Sequence, residues 1–241
     1  MNRLSYPVRI NRYLALKNIA SRREADRLIK AGKIKLNGRL AKPGDQVNEA
    51  DRVEVDQPYS DLKENFYRYL AFNKPRGVVT NEEQGQTSIG DLISSAGSKN
   101  KLVPMGRLDK DSGGLIILTN DTRLTNKLLS PEYHHEKEYL VKVDKNLTPM
   151  FQKQITAGVK LETGRTKPCR LKKVAPDEFY LTLTEGRKHQ IRRMCAALGY
   201  QVKDLQRVRI MNVRLGQLKP GEWKNIEGAE QEKFLKQLDL K

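Results

Sequence analysis

The sequence predicts an α+β protein: a small basic module, then a larger domain with a mixed, largely antiparallel sheet and flanking helices. Three observations lead there. Strand-like segments between residues 67 and 213 often follow one another without a helix between, so regular βαβ alternation is absent. Leu115-Ile116-Ile117-Leu118 is an apolar run with the length and composition of a buried strand. The polar stretch from Gln57 to Asn65 reads as a linker that sets these segments apart from an earlier block with its own helix and hairpin signals. The expected domains are 1–60 and 61–241.

Composition narrows the partners. The 241 residues carry 46 Lys and Arg against 29 Asp and Glu, a net charge of +17. The cations are interleaved with apolar residues and do not form a simple tail. This balance points to a polyanion, with nucleic acid first and an anionic membrane surface second. No apolar segment is long enough for a transmembrane helix, and MNRLSYPVRINRYL lacks the apolar core of a signal peptide. Cys169 and Cys195 form no CxxC pair, which fits a reducing, cytoplasmic setting. His134, His135 and His189 are too few and too spread for a zinc site, so no metal is expected. Neither GxGxxG nor GxxxxGK[ST] occurs, so no nucleotide cofactor is indicated. A monomer is the default expectation.

In chain order, Ile10 and Leu14 sit four apart with Tyr13 beside them, as on a short amphipathic helix. Ser21-Arg22-Arg23-Glu24 is a capping box that opens a second helix, striped by Ala25, Leu28 and Ile29. Gly32 is placed to end it. Ile34 and Leu36 alternate as a strand, and Asn37-Gly38 is a strong hairpin turn. Val47, Val53 and Val55 add strand material. The charges are lopsided: Arg22, Arg23 and Arg27 on the helix and Lys33, Lys35 and Arg39 on the hairpin form a basic face suited to phosphates.

In the larger domain, Tyr67 to Asn73 reads as a strand ending at Lys74-Pro75-Arg76-Gly77, a turn. Residues 81–101 suggest a short helix between loops. Gly106 to Asp121, GRLDKDSGGLIILTND, is the stretch around which the rest is organised. Asp109 sits on a loop between Arg107 and Lys110, and that flanking charge keeps a carboxylate ionised. Ser112-Gly113-Gly114 reads as a turn, and Thr119-Asn120-Asp121 as capping chemistry for a helix through Leu124, Leu128 and Leu129. HHEKEYLVKV is a strand with Tyr139 on its more apolar face. Residues 148–157 look helical, and Lys167–Val174 and Phe179–Thr184 strand-like. EGRKHQIRRM leads into the clearest helix, with Ile191, Met194, Cys195 and Leu198 at i, i+3, i+4 and i+7 and Gly199 at its end. Cys195 therefore belongs to the core. Arg207 to Val213 is a final strand, Gly221-Glu222-Trp223 a turn with an anchoring indole, and 228–238 a terminal helix.

These motifs carry a resemblance. SRREADRLIKAGKIKLNG resembles the S4-type RNA-binding domain. NKPRGVVT, GRLDKDSGGLIILTND, KEYLVKV and EGRKHQIRRM occur in the order and spacing of the RsuA-type pseudouridine synthases. DKDSGGL, HEKEYLV and RVRIMNV look most like the RluF branch, which acts on large-subunit (23S) ribosomal RNA. The resemblance implies a synthase that isomerises a uridine, with Asp109 the catalytic aspartate and Tyr139 stacking on the target base. It implies that Arg192 pairs with that carboxylate and that Ile191 packs in the pocket. Arg107 and His189 then join the basic face as substrate-binding residues. Ribosomal RNA or an assembly intermediate is the implied partner, with transfer RNA or small-subunit RNA as alternatives.

The residue types suit that chemistry. The reaction detaches uracil from ribose and reattaches it through carbon, without an energy source or redox cofactor. A uridine within a fold must first be extruded, which an aromatic face and cations favour. A non-catalytic ribosome-assembly factor would need only the charge and the first module, and it leaves the set Asp109, Tyr139 and Arg192 unexplained. A base methyltransferase would need a glycine-rich cofactor loop, which the sequence lacks.

Overall fold

The computed structural model describes residues 6–17, 19–20, 22–56, 67–81, 83–93, 102–121 and 123–240. The chain divides into two compact units, Met1–Tyr67 and Arg68–Lys241. The capping role expected of Ser21 and the linker from Gln57 to Asn65 lie outside the described residues.

In the first unit, β1 (Val8–Arg9) pairs with β4 (Gln46–Val47) and leads into α1 (Ile10–Leu16). Helix α2 (Arg22–Lys30) follows, and the two helices bury Ile10, Leu14, Ala25 and Ile29 together. Gly32, at φ +69°, closes α2 by donating its N–H to the Ile29 carbonyl. Strand β2 (Ile34–Leu36) turns into β3 (Arg39–Leu40) through Asn37 and Gly38, both at positive φ as a two-residue hairpin demands. The Asn37 amide donates to Asp51 at 2.8 Å and its oxygen accepts from the Arg52 N–H, which ties the turn to β5 (Val53–Val55).

The second unit is built on a sheet. Its first half comprises β6 (Tyr69–Lys74), α3 (Ile89–Ile93), β7 (Val103–Met105), β8 (Gly113–Thr119), α4 (Leu124–Leu129) and β9 (Lys137–Val143). Then come α5 (Pro149–Thr156), the small hairpin β10 (Lys160–Leu161) and β11 (Gly164–Arg165), β12 (Arg170–Ala175), β13 (Glu178–Leu183) and α6 (Gln190–Ala197). The chain closes with β14 (Val202–Ile210), β15 (Val213–Arg214), β16 (Trp223–Asn225) and α7 (Gly228–Gln237). The sheet order is β12-β13-β9-β14-β8-β6-β16, with β7 beside β8 and β15 beside β14. Every described pairing in it is antiparallel except β14 with β8. The mixed, largely antiparallel sheet expected from the sequence is therefore the fold. One apolar cluster joins β9, β13, α5 and α6; another joins β6, β8 and α3.

Three readings change. Gly113 and Gly114 are not a turn but the start of β8, and both are buried. Gly114 is needed for close approach: a Cβ there would stand 2.4 Å from the Arg207 carbonyl oxygen and 2.5 Å from its nitrogen, on a backbone at φ +106°. The last long strand begins at Val202, five residues before Arg207, because it must pair along nearly all of β9. Trp223 does not anchor in the core. It opens an exposed edge strand and is 38% accessible.

Lys74 is fully buried at the end of β6. Its ammonium donates to the carbonyls of Val78 (2.6 Å), Pro75 (2.9 Å) and, more weakly, Lys110 (3.5 Å). Burial lowers its pKa from 10.5 to about 8, against the pull of Asp109 and Asp111 and with the push of Arg207. Burial likewise lowers Lys137 to about 8. Burial raises Cys169 and Cys195 from 9.0 to about 11 and about 12.

Two expectations follow for stability. Gly114→Ala should cost about 3 kcal/mol or more in urea unfolding, because backbone at Arg207 must shift around a strained residue. A loss under about 0.5 kcal/mol, typical of a tolerant surface site, would contradict that close approach. The lysines bind fewer protons folded than unfolded above pH about 8, so stability should rise with pH from there. The thiols oppose this as pH passes 9.0, since they hold their protons longer when folded. Unfolding free energy should thus climb between about pH 8 and pH 9, and climb less in Lys74→Met; a flat or falling wild-type curve in that window would contradict the depressed lysines.

Candidate active site

The loop from Gly106 to Ser112 joins β7 to β8. Its backbone is held from several sides. The Thr80 hydroxyl donates to the Leu108 carbonyl (2.8 Å) and accepts from the Leu108 N–H (3.1 Å). The Gly77 N–H donates to the Lys110 carbonyl at 2.8 Å, which explains why the Lys-Pro-Arg-Gly turn stands next to this loop. The Ser112 N–H donates to the Asp109 carbonyl at 3.0 Å, closing the turn on itself. From below, Arg207 donates Nη1 to the Arg107 carbonyl at 3.5 Å.

The Asp109 carboxylate on this pinned loop makes no hydrogen bond among the described residues. It is 36% accessible, and His189 comes within ion-pair reach of it, its Nε2 standing 3.6 Å from Oδ1. That is an ion-pair distance when the imidazole is protonated and too long for a hydrogen bond. His189 caps α6 in the left-handed conformation, at φ 52°, which is uncommon for a residue with a side chain. Strain of this kind gathers at functional sites.

The expected pairing of Arg192 with Asp109 is not made. Arg192 donates Nη2 to the Asp111 carbonyl (3.0 Å) and the Ser112 hydroxyl (3.4 Å), and Nη1 to the Val202 carbonyl (3.3 Å). Its planar fork thus ties the loop, at Asp111 and Ser112, to the start of β14 at Val202, and leaves the carboxylate to His189.

Tyr139 lies in the middle of β9, between Leu181 on β13 and Arg207 on β14. It is half-buried against the apolar cluster that contains Ile191, itself 4% accessible. No described residue hydrogen-bonds its hydroxyl, which is not sealed from solvent. The α6 end that carries His189, Ile191 and Arg192 is locked by Gln190 and Glu185. Gln190 is buried, accepting from the Arg187 N–H and donating to Glu185 at 2.8 Å. Glu185 also accepts from the Lys167 N–H at 2.9 Å. A Glu and a Gln five apart around a helix start is the signal that could have revealed this lock.

Arg107 is exposed and its side chain makes no hydrogen bond among the described residues. In the first unit, Arg22, Arg23, Arg27, Lys33, Lys35 and Arg39 are all exposed. Arg27 meets Glu24 at 3.3 Å, and Arg39 meets Asp45 at 2.8 Å, which raises the guanidinium pKa and lowers that of the acid. Arg22, Arg23, Lys33 and Lys35 have no acidic partner among the described residues. Among the described residues no His, Cys, Asp or Glu cluster is arranged to hold a metal ion.

The larger unit thus offers a carboxylate on a pinned loop beside an imidazole, and a tyrosine on the strand paired with β14, whose Arg207 reaches that loop. A carboxylate so placed can act as nucleophile or base.

Comparison with known proteins agrees. Residues 68–197 match the RNA pseudouridylate synthase family, and residues 8–53 match the S4 domain. The chain is 45% identical over 224 residues, 92% of its length and 77% of the relative's, to the dual-specificity RNA pseudouridine synthase RluF of Escherichia coli strain K12. It is 34% identical over 232 residues to the ribosomal large subunit pseudouridine synthase B of Bacillus subtilis strain 168, covering 92% and 93% of the two chains. A crystal structure of a pseudouridylate synthase superposes with a TM-score of 0.68 at 30% identity, over 94% of this chain and 99% of that one. With its loop aspartate, its tyrosine-bearing strand and its matched S4 module, the chain belongs to the RNA pseudouridylate synthase family.

Proposed function

We propose that this protein isomerises a specific uridine to pseudouridine in large-subunit ribosomal RNA. The observation that carries the reading is the Asp109 carboxylate, exposed on a loop whose backbone is pinned while the side chain stays free. The glycosidic N1–C1′ bond breaks, C5 takes the place of N1 on the sugar, and a proton leaves C5 as one is gained at N1. Nothing is oxidised or reduced, so no cofactor takes part. The target uridine flips out of its stack and rests against Tyr139 and Ile191. Asp109 supplies the nucleophile or base, and Arg192 keeps its loop in place. Arg107 and His189 hold the nucleotide's polar edge. The exposed cations of the first unit track the phosphates. The enzyme works as a monomer in the cytoplasm, with no membrane partner.

The choice of large-subunit RNA rests on the Bacillus subtilis relative's name. A second RNA substrate is favoured by the Escherichia coli relative's description as dual-specificity, and transfer RNA is the class to assay beside the ribosomal one.

Release of tritium from RNA labelled at uridine C5, with no added cofactor, tests the chemistry. Wild-type enzyme should release it and Asp109→Asn should not, while RNA affinity stays within about threefold because the amide keeps the carboxylate's shape. Multiple turnovers by a verified Asp109→Asn protein would sink the assignment, and a requirement for a methyl donor would place the protein in another class. The basic face has its own test in filter binding. Replacing Arg22, Arg23, Lys33 and Lys35 together by Ala should flatten the slope of log K against log salt by about 3, at roughly 0.7–0.9 per phosphate contact. An unchanged slope would remove those residues from the interface.

A further inference from the structure

Arg207 stands outside the residues so far given a part in the chemistry, yet its environment is unusual. It is 3% accessible, deep in the sheet. No carboxylate lies within ion-pair distance of it among the described residues, and its charge is one of the causes that lower the pKa of Lys74 and of Lys137. Its Nε donates a short bond, 2.7 Å, to the Leu115 carbonyl on β8. Its Nη1 reaches the Arg107 carbonyl only at 3.5 Å. Its Nη2 is buried and has no hydrogen-bond partner among the described residues. Across the β14–β9 pairing, Arg207 is opposite Tyr139, so the two side chains share one face of the sheet.

A buried guanidinium with one good bond, one stretched bond and one unmade bond is costly to keep. The bond to β8 is anchored on a rigid strand. The stretched one ends on the loop, two residues before Asp109. We propose that Arg207 is a positioning residue: RNA binding seats the catalytic loop on it, shortening the bond to the Arg107 carbonyl and giving Nη2 the acceptor it lacks. Asp109 then takes its working position relative to Tyr139, whose strand neighbour on β14 is Arg207 itself. Binding energy from RNA contacts far from the uridine is in this way converted into placement of the carboxylate.

The proposal rests on the synthase reading, and the test separates the two. Single-turnover tritium release is measured at saturating enzyme on a C5-labelled transcript of large-subunit ribosomal RNA, for wild type, Arg207→Met and Arg207→Lys. Hydrogen exchange of residues 106–112 is followed with and without the same RNA. Arg207→Met should lose about 10²-fold in the single-turnover rate, the scale of a misplacement near 1 Å, with affinity nearly unchanged. Arg207→Lys should recover part of the rate, since an ammonium can reach one carbonyl but lacks the fork. In wild type, RNA should slow exchange in the loop, and the slowing should shrink in Arg207→Lys. A merely structural arginine would instead loosen β8 and β14 equally with or without RNA. A folded Arg207→Met protein with the wild-type rate would overturn the proposal, and so would loop exchange in wild type that RNA leaves unchanged. The latter arm needs no variant and decides even if both substitutions unfold the chain. A wild type that binds the transcript but releases no tritium counts against the functional reading alone, and loop protection still decides the role of Arg207.

Discussion

The structure depends on one close contact, the parallel junction where β8 meets β14. Gln206 pairs with Gly113 and Arg207 with Gly114, and no side chain could stand where Gly114 is. The rest of the sheet is antiparallel and could be extended or trimmed at its edges. This junction could not, because it sets the start of β8, and the start of β8 is the end of the loop that carries Asp109. The same residue pair puts the Arg207 guanidinium beneath that loop and its backbone beside Tyr139 on β9. Loop, tyrosine strand and sheet centre are fixed by one steric constraint.

Above the junction, the chemistry is organised by a division of labour between backbone and side chain. Thr80, Gly77 and Arg192 spend their bonds on loop carbonyls and amides. None is spent on the Asp109 carboxylate, which is left beside a histidine held in a strained conformation. A nucleophile needs lone pairs that are not already engaged, and it needs a fixed direction. Anchoring the main chain supplies the second without costing the first. Lys74, buried under the loop, adds positive potential near Asp109 and Asp111 without an ion pair to either.

Much of this was legible in the sequence. The Asn37-Gly38 turn, the alternation of Ile34 and Leu36, the apolar run of β8 and the stripe of α6 follow from local rules, and each element stands where those rules put it. The Gly-Arg-Leu-Asp loop was recognisable by charge set against a buried strand. What was not legible is long-range. Gly113-Gly114 has the composition of a turn, and only the approach of Arg207, far along the chain, makes it a strand. The pairing of Arg192 with the carboxylate is implied by the family resemblance alone, and a planar fork fits two main-chain oxygens as well. Lys74 and Arg207 look like ordinary surface cations in sequence, since nothing local reports that both become buried. Trp223 reads in sequence as an indole anchoring a turn, whereas the edge strand it opens leaves it exposed.

The central claim is that Asp109 isomerises a uridine in ribosomal RNA of the living cell. Carbodiimide mapping of pseudouridine in ribosomal RNA tests it most directly, comparing cells that carry the wild-type gene with cells that carry Asp109→Asn at the same locus. A reverse-transcription stop in large-subunit RNA should disappear in the variant while the protein level is unchanged. An identical pattern of stops in both strains, across all ribosomal and transfer RNAs, would contradict it.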